Sequence, residues 1–99
     1  ILKTIADALE PKRRELDQIN KSFTSDFFYL LNNMNIRHNN CDENDFKNYN
    51  PVFARLSVDE VETWYDDIFQ QELMAFLFLE QKKRNIRINT FKKAVKENI

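Results

Sequence analysis

The sequence predicts an all-α bundle of three to five helices, and three features of its 99 residues lead to this prediction. Glycine, the default residue of the tight turns between β-strands, is absent. Apolar residues recur at steps of three and four, which places them on one face of an α-helix. A helix-start signal, Ser57-x-x-Glu60, precedes the longest apolar run. We expect a single compact domain over residues 1–99, and the first residue, Ile1 rather than Met, is compatible with a fragment of a longer protein.

The first half of the chain contains the pattern of one short and one long amphipathic helix. Residues 1–10 carry Ile1, Ile5 and Leu9 on one face, and Pro11 interrupts this segment. A second stripe predicts a long helix over residues 12–35, with a weak point at residues 22–25, where hydroxyl side chains compete for backbone groups. Its apolar members are Leu16, Ile19, Phe23, Phe27, Leu30 and Met34.

The second half predicts a polar loop over residues 39–50, one helical turn over 51–56, and a second long helix over 57–84. Every residue from 73 to 79 is apolar, and a helix that is apolar all round is usually enclosed by others. We therefore expect Phe76 and Leu77 to be largely buried in the assembled protein, and this helix to be central or to meet a second subunit. A break over 85–89 is expected next.

The chain should end in a short last helix that begins at residue 91 and ends near residue 98. Asn89 or Thr90 is expected to cap it, because both residue types are favoured at helix N-termini. Phe91 and Val95 lie four residues apart and are expected to face inward.

Charge and cysteine content narrow the classes of function. The net charge is −1, so no overall field favours nucleic acid or a membrane. The charges are uneven, because residues 42–72 hold nine acids against two bases and residues 82–99 hold seven bases against one acid. Cys41 is the only cysteine, which excludes an internal disulfide and favours a reducing, cytoplasmic location. The seven-residue apolar run is too short for a membrane span.

Arg37 and His38, at the end of the first long helix, form the best candidate for chemistry. His38 is the only histidine of the chain. A histidine acts as a general acid or base, and a neighbouring arginine stabilises a phosphate, so the pair suits RNA cleavage without a metal. The alternative is structural, with Arg37 and Asn39 capping the helix and His38 merely exposed.

At this string the sequence resembles the HEPN superfamily (higher eukaryote and prokaryote nucleotide-binding domains). The family motif is an arginine, often followed by Asn, Asp or His, with a second histidine four to six residues beyond. Arg37 and His38 match the first two positions, whereas Asp42, Glu43 and Asn44 stand where the histidine belongs. The resemblance implies a helical bundle, often dimeric, and in many members a metal-independent RNase of defence or toxin–antitoxin systems. The departure implies that His38 takes over the acid–base role or that the domain is inactive.

Other polar clusters give weaker signals. Glu62 and Asp66 share a helix face and, with Asp67, have the chemistry of a cation site. Acids in the first turns of a helix are more often explained by the helix dipole, so neither a metal nor a cofactor is expected. The acidic neighbours Asp42 and Glu43 argue against a nucleophilic role for Cys41.

The basic residues near the end have the composition of a nucleic-acid backbone contact, but the acidic middle of this chain or of a neighbouring chain is the preferred partner. The candidate nucleic-acid contacts are Lys82, Lys83, Arg84, Arg87, Lys92 and Lys93.

The sequence as a whole leaves two classes of function. The first is a helical protein-interaction or dimerisation module, with a protein partner or a homodimer. The second is a HEPN-like RNase using Arg37 and His38, with RNA as its partner.

Overall fold

The computed structural model describes residues 1–98, and over this range the chain is helical with no strand, which confirms the all-α prediction. The α-helices are α1 (Leu2–Leu9), α2 (Arg13–Ile19), α3 (Lys21–Asn33), α4 (Pro51–Ala54) and α5 (Val58–Glu97). A 3-10 turn over Glu10–Lys12 joins α1 to α2, where Pro11 lacks the amide that an α-helix would use.

Helices α2 and α3 correct the prediction of one long helix over residues 12–35. Asn20 has extended backbone angles (φ −152°, ψ 96°) and separates them. Its side-chain oxygen accepts a hydrogen bond from the Phe23 amide at 3.0 Å, so Asn20 caps a new helix. The break therefore lies just before the predicted weak point at residues 22–25. The predicted inward face survives the break, because Leu16 and Phe27 are fully buried.

One hydrophobic core lies between α5 and the helices α1, α2 and α3, which all pack against it. Its aromatic part is held by ring contacts, since Phe23 stacks on Phe27 at 5.5 Å and meets Phe78 edge-on at 5.0 Å. The buried apolar residues of the cluster are Ala6, Leu9, Leu16, Phe27, Phe28, Leu31, Ile36, Ile68, Ala75 and Leu79.

Helix α5 begins where the sequence predicts it to begin. The Ser57 hydroxyl accepts from the Glu60 amide at 3.1 Å, and the Glu60 carboxylate accepts from the Ser57 amide at 3.0 Å. This reciprocal pair confirms the capping box. The short helix α4 likewise confirms the predicted turn after Asn50, whose side-chain oxygen accepts from the Phe53 amide at 3.1 Å.

The predicted break over residues 85–89 is wrong, because α5 continues through it for 40 residues in all. This segment contains neither proline nor glycine, so nothing forces the backbone out of the helix. Polar side chains bond along the helix instead: Gln81 donates to Asn85 at 2.8 Å, and the Thr90 hydroxyl donates to the Ile86 carbonyl at 2.9 Å. Thr90 and Asn89 are therefore interior helical residues and do not cap a separate helix.

The second half of α5 extends beyond the bundle and makes the molecule elongated. The principal extents are 67 × 26 × 21 Å, and the radius of gyration is 18.2 Å. A compact domain of this length would have a radius near 13 Å. From residue 83 to residue 98 every residue is exposed. The prediction of a compact domain is thus wrong, and Phe91 and Val95 face solvent rather than a core.

The apolar run of residues 73–79 is also only partly enclosed. Phe76 is 43% exposed and Leu77 is 60% exposed, so the chain by itself does not bury them, and their burial in an assembly stays a prediction. The other helices cover only one face of α5. The residues that face the core at steps of three and four are Val61, Tyr65, Ile68, Glu72, Ala75 and Leu79.

Two phenylalanine truncations should test this placement of the core. Phe28 is fully buried, so Phe28→Ala should lower the free energy of unfolding by about 3–5 kcal/mol. Phe76→Ala should cost less than half as much, because part of this ring already contacts water. Urea unfolding of both variants at low protein concentration measures the difference. Equal costs would show that the core is misplaced.

Candidate functional site

The segment with Arg37 and His38 is held in place by asparagines. Asn35 ends α3 in the left-handed conformation (φ 56°), a position that glycine usually occupies and that asparagine tolerates well. The Asn40 side chain is fully buried, accepts from the Asn35 amide at 2.6 Å, and donates to the carbonyls of Asn32 at 3.0 Å and Asn48 at 2.6 Å. One buried amide thus connects both ends of the loop between α3 and α4.

Within this loop Arg37 is engaged in an ion pair. Its guanidinium donates to the Glu10 carboxylate at 2.8 Å, which joins the loop to the 3-10 turn after α1. Its amide donates to the Leu31 carbonyl at 3.2 Å, so the backbone of Arg37 helps to close α3. The charge that a phosphate would need is therefore already paired with a carboxylate in this conformation.

His38 lies on the surface beside Arg37 but does not join this pair. Its side chain is exposed, and among residues 1–98 its ring takes part in no hydrogen bond or ion pair. Cys41 is exposed as well. Glu10 also lines a shallow, open groove along the 3-10 turn and α2, together with Pro11, Arg13, Arg14 and Asp17. His38 is not part of its lining.

The six basic candidates of α5 are distributed around the helix and do not form one face. At 100° per residue, Lys83, Arg84 and Lys92 point in clearly different directions. Several already have partners: Lys82 contacts Glu15 at 3.3 Å, Lys83 contacts Glu80 at 3.5 Å, and Lys93 contacts Glu97 at 3.9 Å. No ion pair within the described part of the chain joins these bases to the acids of residues 42–72. A continuous helix holds the two regions apart.

The acids of α5 do not form a metal centre in the region described. Across residues 1–98 no group of three or more His, Cys, Asp or Glu side chains lies in metal-binding proximity. Glu62 and Asp66 are exposed on the first turns of α5. Over the same range, no helix has both the length and the apolar character needed to cross a membrane.

Glu72 is the polar residue that the sequence analysis did not single out. It faces the core from α5, is 0% exposed, and neither carboxylate oxygen has a hydrogen-bond partner. Burial raises the pKa of Glu72 to about 7, and the positive amino group of Ile1 partly opposes this rise. The signal that reveals Glu72 is its spacing from Ile68 and Ala75, which places it on the inward stripe of α5.

An apolar stripe runs along α5 on the side away from the bundle, and we call it the outer stripe. It consists of Phe69, Leu73, Leu77, Ile88, Phe91 and Val95, all exposed. Glu80 and Arg84 lie between Leu77 and Ile88 in the same line, so the steps along the stripe are all three or four residues. Ile86 is also exposed, but it points about 140° away from Phe91.

Comparison with known proteins does not assign the chain to a family. No protein-family model, no curated protein and no solved structure matches it. The arrangement of its own side chains is therefore what bears on function.

The buried carboxyl should make stability depend on pH. The folded state holds a proton on Glu72 up to about pH 7, whereas an unfolded chain releases it near 4.5. The folded state thus binds more protons between these values, so its stability should fall as the pH rises through this window. The Glu72→Gln variant removes the charge and should be about 1–3 kcal/mol more stable than wild type at pH 8. Thermal unfolding from pH 5 to pH 8 measures both slopes, and parallel curves would contradict the assignment to Glu72.

The nuclease hypothesis for Arg37 and His38 stays a prediction, and one assay decides it. If the domain cleaves RNA, His38→Ala should lower the rate by about 10²–10⁴-fold without loss of helicity, and EDTA should have no effect. Arg37→Ala should abolish cleavage too and should also break the contact with Glu10. Cleavage that survives His38→Ala would eliminate the mechanism. A wild-type protein that cleaves nothing would leave Arg37 with a structural role.

Proposed function

We propose that this chain is a helical protein-interaction module, and that its outer stripe binds a helix of another polypeptide. The observation that carries the proposal is the stripe itself: six large apolar side chains, from Phe69 to Val95, are exposed along one side of a single helix. Large apolar side chains that are exposed together often mark a protein–protein interaction site.

The stripe has the geometry of a recognition surface. Helix-in-groove and helix-to-helix recognition use apolar anchors at steps of three, four and seven residues, which is the spacing of Ile88, Phe91 and Val95. The most exposed of these, Phe91, is 70% exposed. Burial of a phenylalanine or leucine side chain contributes about 1.5–3 kcal/mol, so a few such anchors are sufficient for binding.

The bundle supports this role by holding the first half of α5 in place. The core residues of α1, α2 and α3 pack against the inward stripe, so the first part of the outer stripe, Phe69, Leu73 and Leu77, is presented on an already folded helix. A binding surface that is ordered before it meets its partner loses less conformational entropy on association. The Asn40-centred loop and the Arg37–Glu10 pair then act as structural elements of the bundle.

The reducing, cytoplasmic location and the likeness to the HEPN superfamily are kept as proposals. The first is supported by the exposed, single thiol of Cys41. The second is supported only by the first two motif positions, Arg37 and His38. Protein binding by the outer stripe depends on neither proposal.

Site-specific photocrosslinking should test the proposed interaction. A photoreactive residue in place of Phe91 should give a discrete protein adduct in the cells that normally express the chain. Adding Leu77→Asp should weaken the adduct about tenfold or more, because a charge would then lie within the apolar contact. The circular dichroism spectrum of the Leu77→Asp variant should match that of the wild type, which shows that the weaker adduct comes from the contact and not from unfolding.

The matched control is Ile86, which is 60% exposed on the same projecting part of α5 but outside the outer stripe. A photoreactive residue at Ile86 should give no such adduct, and Ile86→Asp should leave the adduct at Phe91 unchanged. Equal labelling from both positions, or none from Phe91, would contradict the proposal.

A further inference from the structure

We infer that the occupant of the outer stripe is a second copy of this chain, with the two α5 helices running antiparallel. This inference rests on the proposed function and names its partner. It follows from three observations on α5: the order of side chains along the stripe, the distribution of charge along the helix, and the side on which the bundle lies.

The order of side chains along the outer stripe is nearly symmetrical about residue 82. In an antiparallel pair whose two-fold axis passes near this residue, Phe69 lies beside Val95 of the partner subunit. Leu73 lies beside Phe91 of the partner subunit, and Leu77 beside Ile88 of the partner subunit. Every apolar member of the stripe thus meets another apolar residue, as a self-complementary two-fold interface requires.

The two charged residues of the stripe fit the same register. Glu80 lies beside Arg84 of the partner subunit, and the two-fold axis repeats the pair, so two reciprocal ion pairs form at the centre of the interface. In the wild-type chain alone, Arg84 donates to Gln81 at 2.6 Å and Glu80 contacts Lys83 at 3.5 Å, both exposed and easily exchanged. A parallel pair would instead place Glu80 against Glu80 and Arg84 against Arg84.

The charge of the whole helix also favours the antiparallel orientation. Residues 58–71 carry five acids and no Lys or Arg, whereas residues 82–97 carry seven bases and one acid. Because α5 is continuous, its basic end does not fold back on its acidic end, and the described ion pairs of the basic end reach none of these acids. Antiparallel association brings the basic end of each copy toward the acidic end of the other, and a parallel pair would set like charges together.

The position of the bundle leaves room for this arrangement. The inward stripe, centred near Ile68 and Leu79, lies roughly 150° around α5 from the outer stripe. Two copies that meet through their outer stripes therefore carry their bundles on opposite sides. The overlap from residue 66 to residue 98 is about 50 Å long, which is comparable to a substantial two-stranded coiled-coil contact.

Charge reversal tests the inference directly. Sedimentation equilibrium of the full chain should show a dimer for wild type, and Glu80→Arg or Arg84→Glu alone should weaken dimerisation about tenfold or more, since each places like charges together twice. An equal mixture of the two variants should dimerise again, and so should the chain that carries both changes. Lys93→Glu, an exposed site on the opposite side of α5 from the outer stripe, is the control and should leave the dimer intact.

Cysteine pairing fixes the orientation. In a Cys41→Ser background, chains with Leu73→Cys should form a mixed disulfide with chains carrying Phe91→Cys, and neither should pair efficiently with itself. A disulfide between two copies of Leu73→Cys would show a parallel pair and overturn the inference. A strictly monomeric wild type at all concentrations would overturn it as well.

The two proposals fail in different ways. A crosslinked adduct from Phe91 that contains a different protein, together with a monomeric chain in solution, would keep the interaction module and reject the self-association. A chain that neither dimerises nor gives an adduct would reject both.

Discussion

The continuity of α5 is the constraint on which the rest of the structure depends. A 40-residue helix is far longer than the bundle can cover, so it has two sides with different surroundings along its first half and no covering helix along its second. The first half supplies one wall of the core through Ile68, Ala75 and Leu79. The same continuity separates the acidic and basic ends of α5, and the described ion pairs of the basic end reach none of the acids at the start of the helix.

Asparagines stabilise the helix ends and the connecting loop of this glycine-free chain. Asn20 and Asn50 cap helices, Asn35 takes the left-handed position after α3, and Asn40 is the buried centre of the connecting loop. Their side-chain oxygens and amides satisfy backbone groups at helix ends and within the connecting loop. Arg37 and His38 are ordered by this framework, and the ion pair of Arg37 with Glu10 ties it to the first helix.

The sequence predicted the all-α class, the capping box at Ser57 and the inward face of α2 and α3, because these follow from local spacing and local hydrogen bonds. It misplaced the core face of α5, because seven consecutive apolar residues from 73 to 79 conceal the periodicity. It missed Glu72, since a carboxylate on an inward stripe is read as a surface residue until the neighbouring helices are known. The predicted break at residues 85–89 is absent because this segment contains no proline or glycine, and asparagine disfavours a helix interior far less than either of them.

The uncovered half of α5 has a thermodynamic consequence. Residues 83–97 are all exposed, and an isolated helix of about 15 residues is marginal in water, so this end depends on propagation from the covered half. Its local free energy of opening must decrease along the helix, from the capped start toward the last turn. Any polypeptide that settles on this end therefore suppresses fraying as it binds. Binding and helix order are therefore coupled. Part of the favourable free energy of the contact is offset by the conformational entropy that the backbone loses.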